Sequence, residues 1–170
     1  PLLSGVGDIC GFRHDDLDSP PAQGGYSDPP CNGTTGIDFA ESKPDFVARV
    51  GRVWGKDAHG AYSEDGGTTW KAFKSEPAGS NAGGMISVTS DGASLVWSLK
   101  GHSPHFSKDR GTTWQESKGV SPGAKLPDWT NVDIQPAADR AGHGGAASGQ
   151  MQPDVVHLHD QPDQAVDEHG

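Results

Sequence analysis

Ser63-Glu64-Asp65-Gly66-Gly67-Thr68-Thr69-Trp70 returns 44 residues later as Ser107-Lys108-Asp109-Arg110-Gly111-Thr112-Thr113-Trp114. The shared positions each have work in a tight turn. Asp65 and Asp109 can accept backbone N–H groups across a hairpin, and Gly67 and Gly111 can adopt positive φ. Trp70 and Trp114 are placed to pack between sheets as core residues. Upstream of each turn the same order of short apolar runs recurs. Gly36-Ile37-Asp38-Phe39-Ala40, Phe46-Val47-Ala48-Arg49-Val50-Gly51, Gly60-Ala61-Tyr62-Ser63 and Trp70-Lys71-Ala72-Phe73 make the first set. Met85-Ile86-Ser87-Val88-Thr89, Leu95-Val96-Trp97-Ser98, His105-Phe106-Ser107 and Thr113-Trp114-Gln115-Glu116 make the second. Each run has strand length, and the turns between them suit antiparallel pairing.

The turn follows the Asp-box pattern, Ser-x-Asp-x-Gly-x-Thr-Trp. Its recurrence falls within the roughly 40–50 residues of one four-stranded propeller blade. The chain is therefore expected to be all-β, with two consecutive four-stranded antiparallel β-propeller blades at about 35–75 and 84–118 inside a segment 35–124. Residues 1–34 are expected to be an irregular acidic loop segment, since Ser19 to Pro30 holds too much Pro and Gly for a ladder strand. Residues 125–170 read as a divergent polar tail. Val132-Asp133-Ile134 is the one candidate start of a third blade. From Asp133 onward seven acids face a single Arg, and Ala141 to Gly149 is low in complexity. Such composition cannot offset its ordering entropy by burial, so the tail is expected to be largely disordered.

Composition agrees with a turn-rich chain: 170 residues with Gly 25, Pro 13 and only 32% hydrophobic residues. The formal net charge of -10 argues against nucleic acid, whose phosphates require Lys and Arg. No apolar run is long enough to span a membrane. Pro1 to Gly7 has neither the charged region nor the apolar core of a signal peptide, and without an initial Met the chain reads as mature or partial. Cys10 and Cys31 permit one disulfide closing a loop of about twenty residues, and equally two free thiols. Asn32-Gly33-Thr34 is a glycosylation sequon, meaningful only in a secreted protein.

The candidate chemistry lies in Gly7-Asp8-Ile9-Cys10-Gly11-Phe12-Arg13-His14-Asp15-Asp16-Leu17-Asp18. Four carboxylates, a His and an Arg fall within twelve residues. Clustered carboxylates suit general acid/base work, because burial and mutual repulsion raise one pKa toward the working pH. Trp54 and Trp129 offer aromatic faces for sugar rings. No metal or cofactor is expected. The candidate His157-Leu158-His159-Asp160 sits in a polar tail without a supporting shell, where metal binding is adventitious. Asp109 and Arg110 are expected to form a surface pair of little energetic weight.

This motif, followed by Ile37-Asp38-Phe39-Ala40-Glu41, the Phe46–Gly51 run and both Asp boxes, resembles the xyloglucan-active enzymes of glycoside hydrolase family 74 over residues 4–124. The resemblance implies secreted, inverting β-1,4-glucanases of two seven-bladed propellers, with the cleft between them and one catalytic Asp on each. The motif matches the opening of the C-terminal propeller. Asp8 then corresponds to the general acid, and His14, Asp15, Asp16 and Trp54 are candidate substrate contacts. The implied partners are xyloglucan or a related β-1,4-glucan and the N-terminal propeller that carries the base. On this expectation the chain holds the general-acid half of the site and is inactive alone. The alternative is a non-catalytic glucan-binding propeller fragment.

Overall fold

The computed structural model describes residues 1–53, 58–99 and 101–118. Trp54, Trp129, the His157–Asp160 stretch and the tail expected to be disordered lie outside the described residues. Among the described residues the strands run in the order β1 (Leu2–Val6), β2 (Cys10–His14), β3 (Gly33–Ala40), β4 (Lys43–Arg52), β5 (Gly60–Ser63) and β6 (Lys71–Ala72), then β7 (Met85–Val88), β8 (Leu95–Ser98), β9 (His105–Ser107) and β10 (Gln115–Glu116). A short 3₁₀ turn, Ser80–Ala82, precedes β7. The chain is all-β, as its turn-rich repeats predict.

Strands β1 to β6 form one sheet in sequence order, and β7 to β10 form a second, again in sequence order. From β3 to β6 and from β7 to β10 every neighbouring pair is antiparallel. Strand β4 explains how the sheets stack. Phe46, Ala48 and Val50 face one way, into a cluster with Phe73, Ile86, Val88, Leu95, Trp97 and Leu99 between the two sheets. Val47 faces the other way, into a second cluster with Ala61, Trp70, Leu3, Tyr26 and Ile37. A strand buried on both faces reads as a continuous apolar run, which is what Phe46 to Gly51 shows. Trp70 is buried and Trp114 half-buried against the inter-sheet cluster.

Polar seams join the sheets as well. Thr35 Oγ1 donates to the Gly84 carbonyl at 2.7 Å and accepts from the Gly84 amide at 3.0 Å. The Asp38 carboxylate accepts from the Val88 amide at 2.7 Å. Gly36 lies where an added Cβ would come within 2.9 Å of the Ile86 nitrogen, so the β3 and β7 backbones approach too closely for a side chain there.

The N-terminal segment departs from the irregular chain expected of it. Its low apolar content conceals a hairpin, β1–β2, whose second strand meets β3 in parallel at Cys10↔Gly33. Tertiary contact supplies what local propensity lacks. Leu3 and Tyr26 cover the Val47 and Trp70 face of the first sheet, and Gly5 pairs with Gly11 across the hairpin. An added Cβ on Gly11 would lie 1.9 Å from the Ser4 carbonyl oxygen. Residues 15–32 hold no strand of their own apart from a bridge between Gly25 and Phe12.

Both repeated turns have the same hydrogen bonds. Asp65 Oδ1 accepts from the Thr69 amide at 2.8 Å and Asp109 Oδ1 from the Thr113 amide at 2.8 Å. The Thr69 and Thr113 hydroxyls donate to the other carboxylate oxygens, each at 2.6 Å. Ser63 and Ser107 hydroxyls donate to the same aspartates while accepting from Gly67 and Gly111 amides, all at 2.8 Å. Gly67 and Gly111 have φ of 84° and 75°. Burial pushes the Asp65 carboxyl up, but the Thr69 and Ser63 donors outweigh it and hold it down at about 2. The Thr113 hydroxyl and amide bring Asp109 down to about 2 likewise. Asp109 and Arg110 do not pair with each other. Asp109 is turned into its own hairpin, and Arg110 reaches across to Glu64 of the first turn, which Lys71 also holds at 2.6 Å.

Candidate active site

The register of β1 with β2, from Leu2↔His14 to Val6↔Cys10, makes Gly7-Asp8-Ile9 the hairpin turn. Asp8 and Cys10 both have left-handed backbone, at φ 69° and 67°, which side chains of this kind adopt rarely. The surroundings hold the strained turn in place. The Gly11 amide bonds to the Ile9 carbonyl at 2.8 Å, tightening the turn. Cys10 is fully buried and disulfide-bonded to Cys31, with Cα atoms 5.4 Å apart, so the open choice between disulfide and thiols resolves to the disulfide. Because neither sulfur carries a proton, the Thr34 hydroxyl 3.6 Å from Cys10 Sγ is the donor of that contact. Beneath the turn, an added Cβ on Gly33 would lie 3.2 Å from the Asp8 nitrogen. The Asp8 carboxylate that results is exposed and has no hydrogen-bond or ion partner among the described residues.

The other acids of the motif are elsewhere. Strand β2 carries the chain from Cys10 to His14, a rise of roughly 13 Å at about 3.3 Å per residue. His14, Asp15 and Asp16 therefore sit at the open end of the hairpin, away from Asp8. There Arg13 donates to Thr68 of the first repeated turn at 2.6 Å and pairs with Asp15 at 2.8 Å. His14 Nε2 lies 3.2 Å from the Ser4 hydroxyl. Asp16 accepts from the Asp18 amide at 3.0 Å and the Ser19 hydroxyl at 2.8 Å, and these bonds lower its pKa. The motif is thus no single acidic cluster. Its carboxylates are divided between the two ends of a hairpin.

The strand registers assign the connections to two ends of the sheets. The hairpin turn, the start of β3, and the β4–β5, β6–β7 and β8–β9 connections share the Asp8 end. The β3–β4 turn, the β7–β8 turn and both repeated turns share the other end, with Asp15 beside them.

Two residues that fix the hairpin were not singled out from sequence. Tyr26 donates its hydroxyl to the Phe12 carbonyl at 2.7 Å, and its amide to the Gly11 carbonyl at 2.9 Å. Burial pushes the Tyr26 phenol up to about 12. Arg49 is 1% exposed, with its guanidinium 5.0 Å from the Trp70 ring and 5.9 Å from that of Tyr26. Its Nη2 donates to the Pro29 carbonyl at 3.1 Å, and burial lowers it to about 10. Among the described residues no carboxylate pairs with it. A lone Arg inside the doubly buried Phe46–Gly51 run is the signal that could have marked it, since an isolated buried charge needs an unusual reason.

No protein-family model matches the chain. It is 43% identical over 129 residues to a xyloglucanase of a Paenibacillus species, an alignment covering 74% of this chain and 12% of that protein. A xyloglucanase of Acetivibrio thermocellus is 36% identical over 125 residues, covering 73% of this chain and 15% of that one. In the solved family 74 xyloglucanase of Xanthomonas campestris, 17% of the chain matches 70% of this one, with 40% identity and a TM-score of 0.64. The chain therefore spans a small part of the length of these relatives.

Proposed function

On the premise that this chain belongs to glycoside hydrolase family 74, we propose that it carries the general-acid half of an inverting xyloglucan β-1,4-glucanase, with Asp8 as the acid. The protonated Asp8 carboxyl gives its proton to the departing glycosidic oxygen. A base on the opposite side of the sugar takes a proton from the attacking water, and the two carboxyls stand about 6.5–9.5 Å apart. Asp15 and Asp16, roughly 13 Å along β2 from the Asp8 turn, are too distant for that partnership. On the family resemblance, the base is supplied by the N-terminal propeller. On this reading the β3–β6 part of the six-stranded sheet and the four-stranded β7–β10 sheet, each with its Asp box, are one propeller blade apiece. The disulfide supports a secreted protein, since such bonds persist in oxidising compartments. His14, Asp15 and Asp16 receive no proton-transfer role.

One observation carries the reading: an exposed, unpartnered carboxylate on a strained turn that a disulfide and two close glycines hold rigid. Incubation with xyloglucan and measurement of new reducing ends tests it. The chain alone is expected to release none, and adding a separately produced N-terminal propeller of a family 74 xyloglucanase is expected to start release. Asp8→Asn should then lower the rate by about 10²–10⁴-fold. Restored release that is indifferent to Asp8→Asn would remove Asp8 from the mechanism. Binding of xyloglucan without release in any combination would leave the non-catalytic reading in its place.

A further inference from the structure

We infer that His59, oriented by Glu76, is a substrate-binding residue on the Asp8 end of the molecule, contacting a sugar hydroxyl through its Nε2. The inference rests on the glucan-processing function proposed above. Glu76 approaches the start of β5 from the β6–β7 connection. Its Oε1 accepts from the His59 amide at 2.6 Å and the Gly60 amide at 2.9 Å, and its Oε2 faces His59 Nδ1 at 2.8 Å. A carboxylate only accepts, so Nδ1 carries the proton. That fixes the ring's orientation, as a carboxylate does behind a functional imidazole.

Nε2 is left over. It has no hydrogen-bond partner among the described residues, and the His59 side chain is 13% exposed. An anchored, partly exposed ring whose second nitrogen has no partner among the described residues is poorly explained by packing alone. Neutral, Nε2 accepts a hydrogen bond; charged, it donates one. A sugar hydroxyl can answer either.

Placement connects this nitrogen with Asp8. The His59 carbonyl accepts from the Gly51 amide at 2.8 Å, the β4 end pairs with Gly33, and Gly33 underlies the Asp8 turn. Three inter-strand spacings of about 4.8 Å separate hairpin and His59, on the order of 14 Å. That distance suits a polymer lying across several strands. Glu76 is not a candidate for the base, because backbone amides and His59 occupy both of its oxygens.

The test uses the full chain, xyloglucan oligosaccharides, and the variant His59→Asn. Asn retains a donor near the Nδ1 position for Glu76 but has nothing in place of Nε2. Calorimetric titration is expected to show affinity falling about tenfold, the loss of one sugar hydrogen bond, with the melting temperature unchanged. The native chain's His59 Nε2 resonance should shift on addition of the oligosaccharide, which carries the test if the variant does not fold. Native affinity in His59→Asn together with an unmoved Nε2 resonance overturns this inference and leaves the role of Asp8 intact. A native chain that binds no oligosaccharide also overturns this inference, while the role of Asp8 is decided separately by the reducing-end assay.

Discussion

Replacing Cys10 and Cys31 together by alanine removes the bond that fixes the Asp8 turn to the chain leading into β3. The residues lie 21 apart in sequence, so the disulfide closes a short loop in the unfolded chain. In the chain-entropy description a loop of that size restrains the unfolded state by about 3 kcal/mol, on the order of two hundredfold in the folding equilibrium. The native hairpin retains other anchors: the Tyr26 hydroxyl on Phe12, the Tyr26 amide on Gly11, and Arg49 on Pro29. The effect is therefore expected in global stability, with the fold preserved. Urea unfolding followed by circular dichroism, on the oxidised chain, the reduced chain and the double alanine variant, measures it. Both perturbed forms should lose about 3 kcal/mol, a large share of the 5–15 kcal/mol typical of a domain. A loss under about 1 kcal/mol, with hydrogen exchange raised only over residues 8–33, would refute the reasoning: residues 10–31 would then be a local appendage and not part of the cooperative unit.

Gly11→Ala places a Cβ 1.9 Å from the Ser4 carbonyl oxygen at a φ of 149°. A loss of about 2 kcal/mol or more in a thermal melt is expected, and a neutral result would contradict the close hairpin pairing. The carboxyls of Asp65 and Asp109, held at about 2, are depressed below their ordinary value of 3.8. Groups lowered on folding contribute stability that is complete above the unfolded value and lost as pH falls through the folded one. Acid unfolding should thus steepen between pH 4 and 2, and Asp65→Asn with Asp109→Asn should flatten that region of the pH–stability curve. Glu64→Gln, which releases Arg110 and Lys71, is expected to cost less than about 0.5 kcal/mol and to lose what effect it has in high salt, since the pairs are solvent-exposed.

Much of the sheet architecture was legible because it is written in local chemistry. The Ser63–Trp70 and Ser107–Trp114 turns bond to themselves, so their residue types suffice to announce them. Strand β4 was equally readable, since burial on both faces leaves an unbroken apolar run. The N-terminal hairpin was not. Leu2 to Val6 has little propensity of its own, and it is paired because the Val47–Trp70 face beside it needs a cover. Arg110 was misassigned for a related reason: its sequence neighbour Asp109 is consumed by its own turn, and Glu64, distant in sequence, is brought opposite it by the stacking of the sheets.

The candidate site divides along the same line. By itself the sequence determined the inventory: an Asp8 that follows Gly7, acids at Asp15 and Asp16, a His between, two cysteines, and two repeats whose turns demand antiparallel sheets. Only tertiary structure decided the grouping. The period of a strand sends His14, Asp15 and Asp16 to the far end of β2, while the parallel meeting of β2 with β3 brings Asp8 to the end where His59 and Glu76 lie. Sequence proximity specifies which residues travel together along the chain; the direction of each strand specifies which of them face the same solvent.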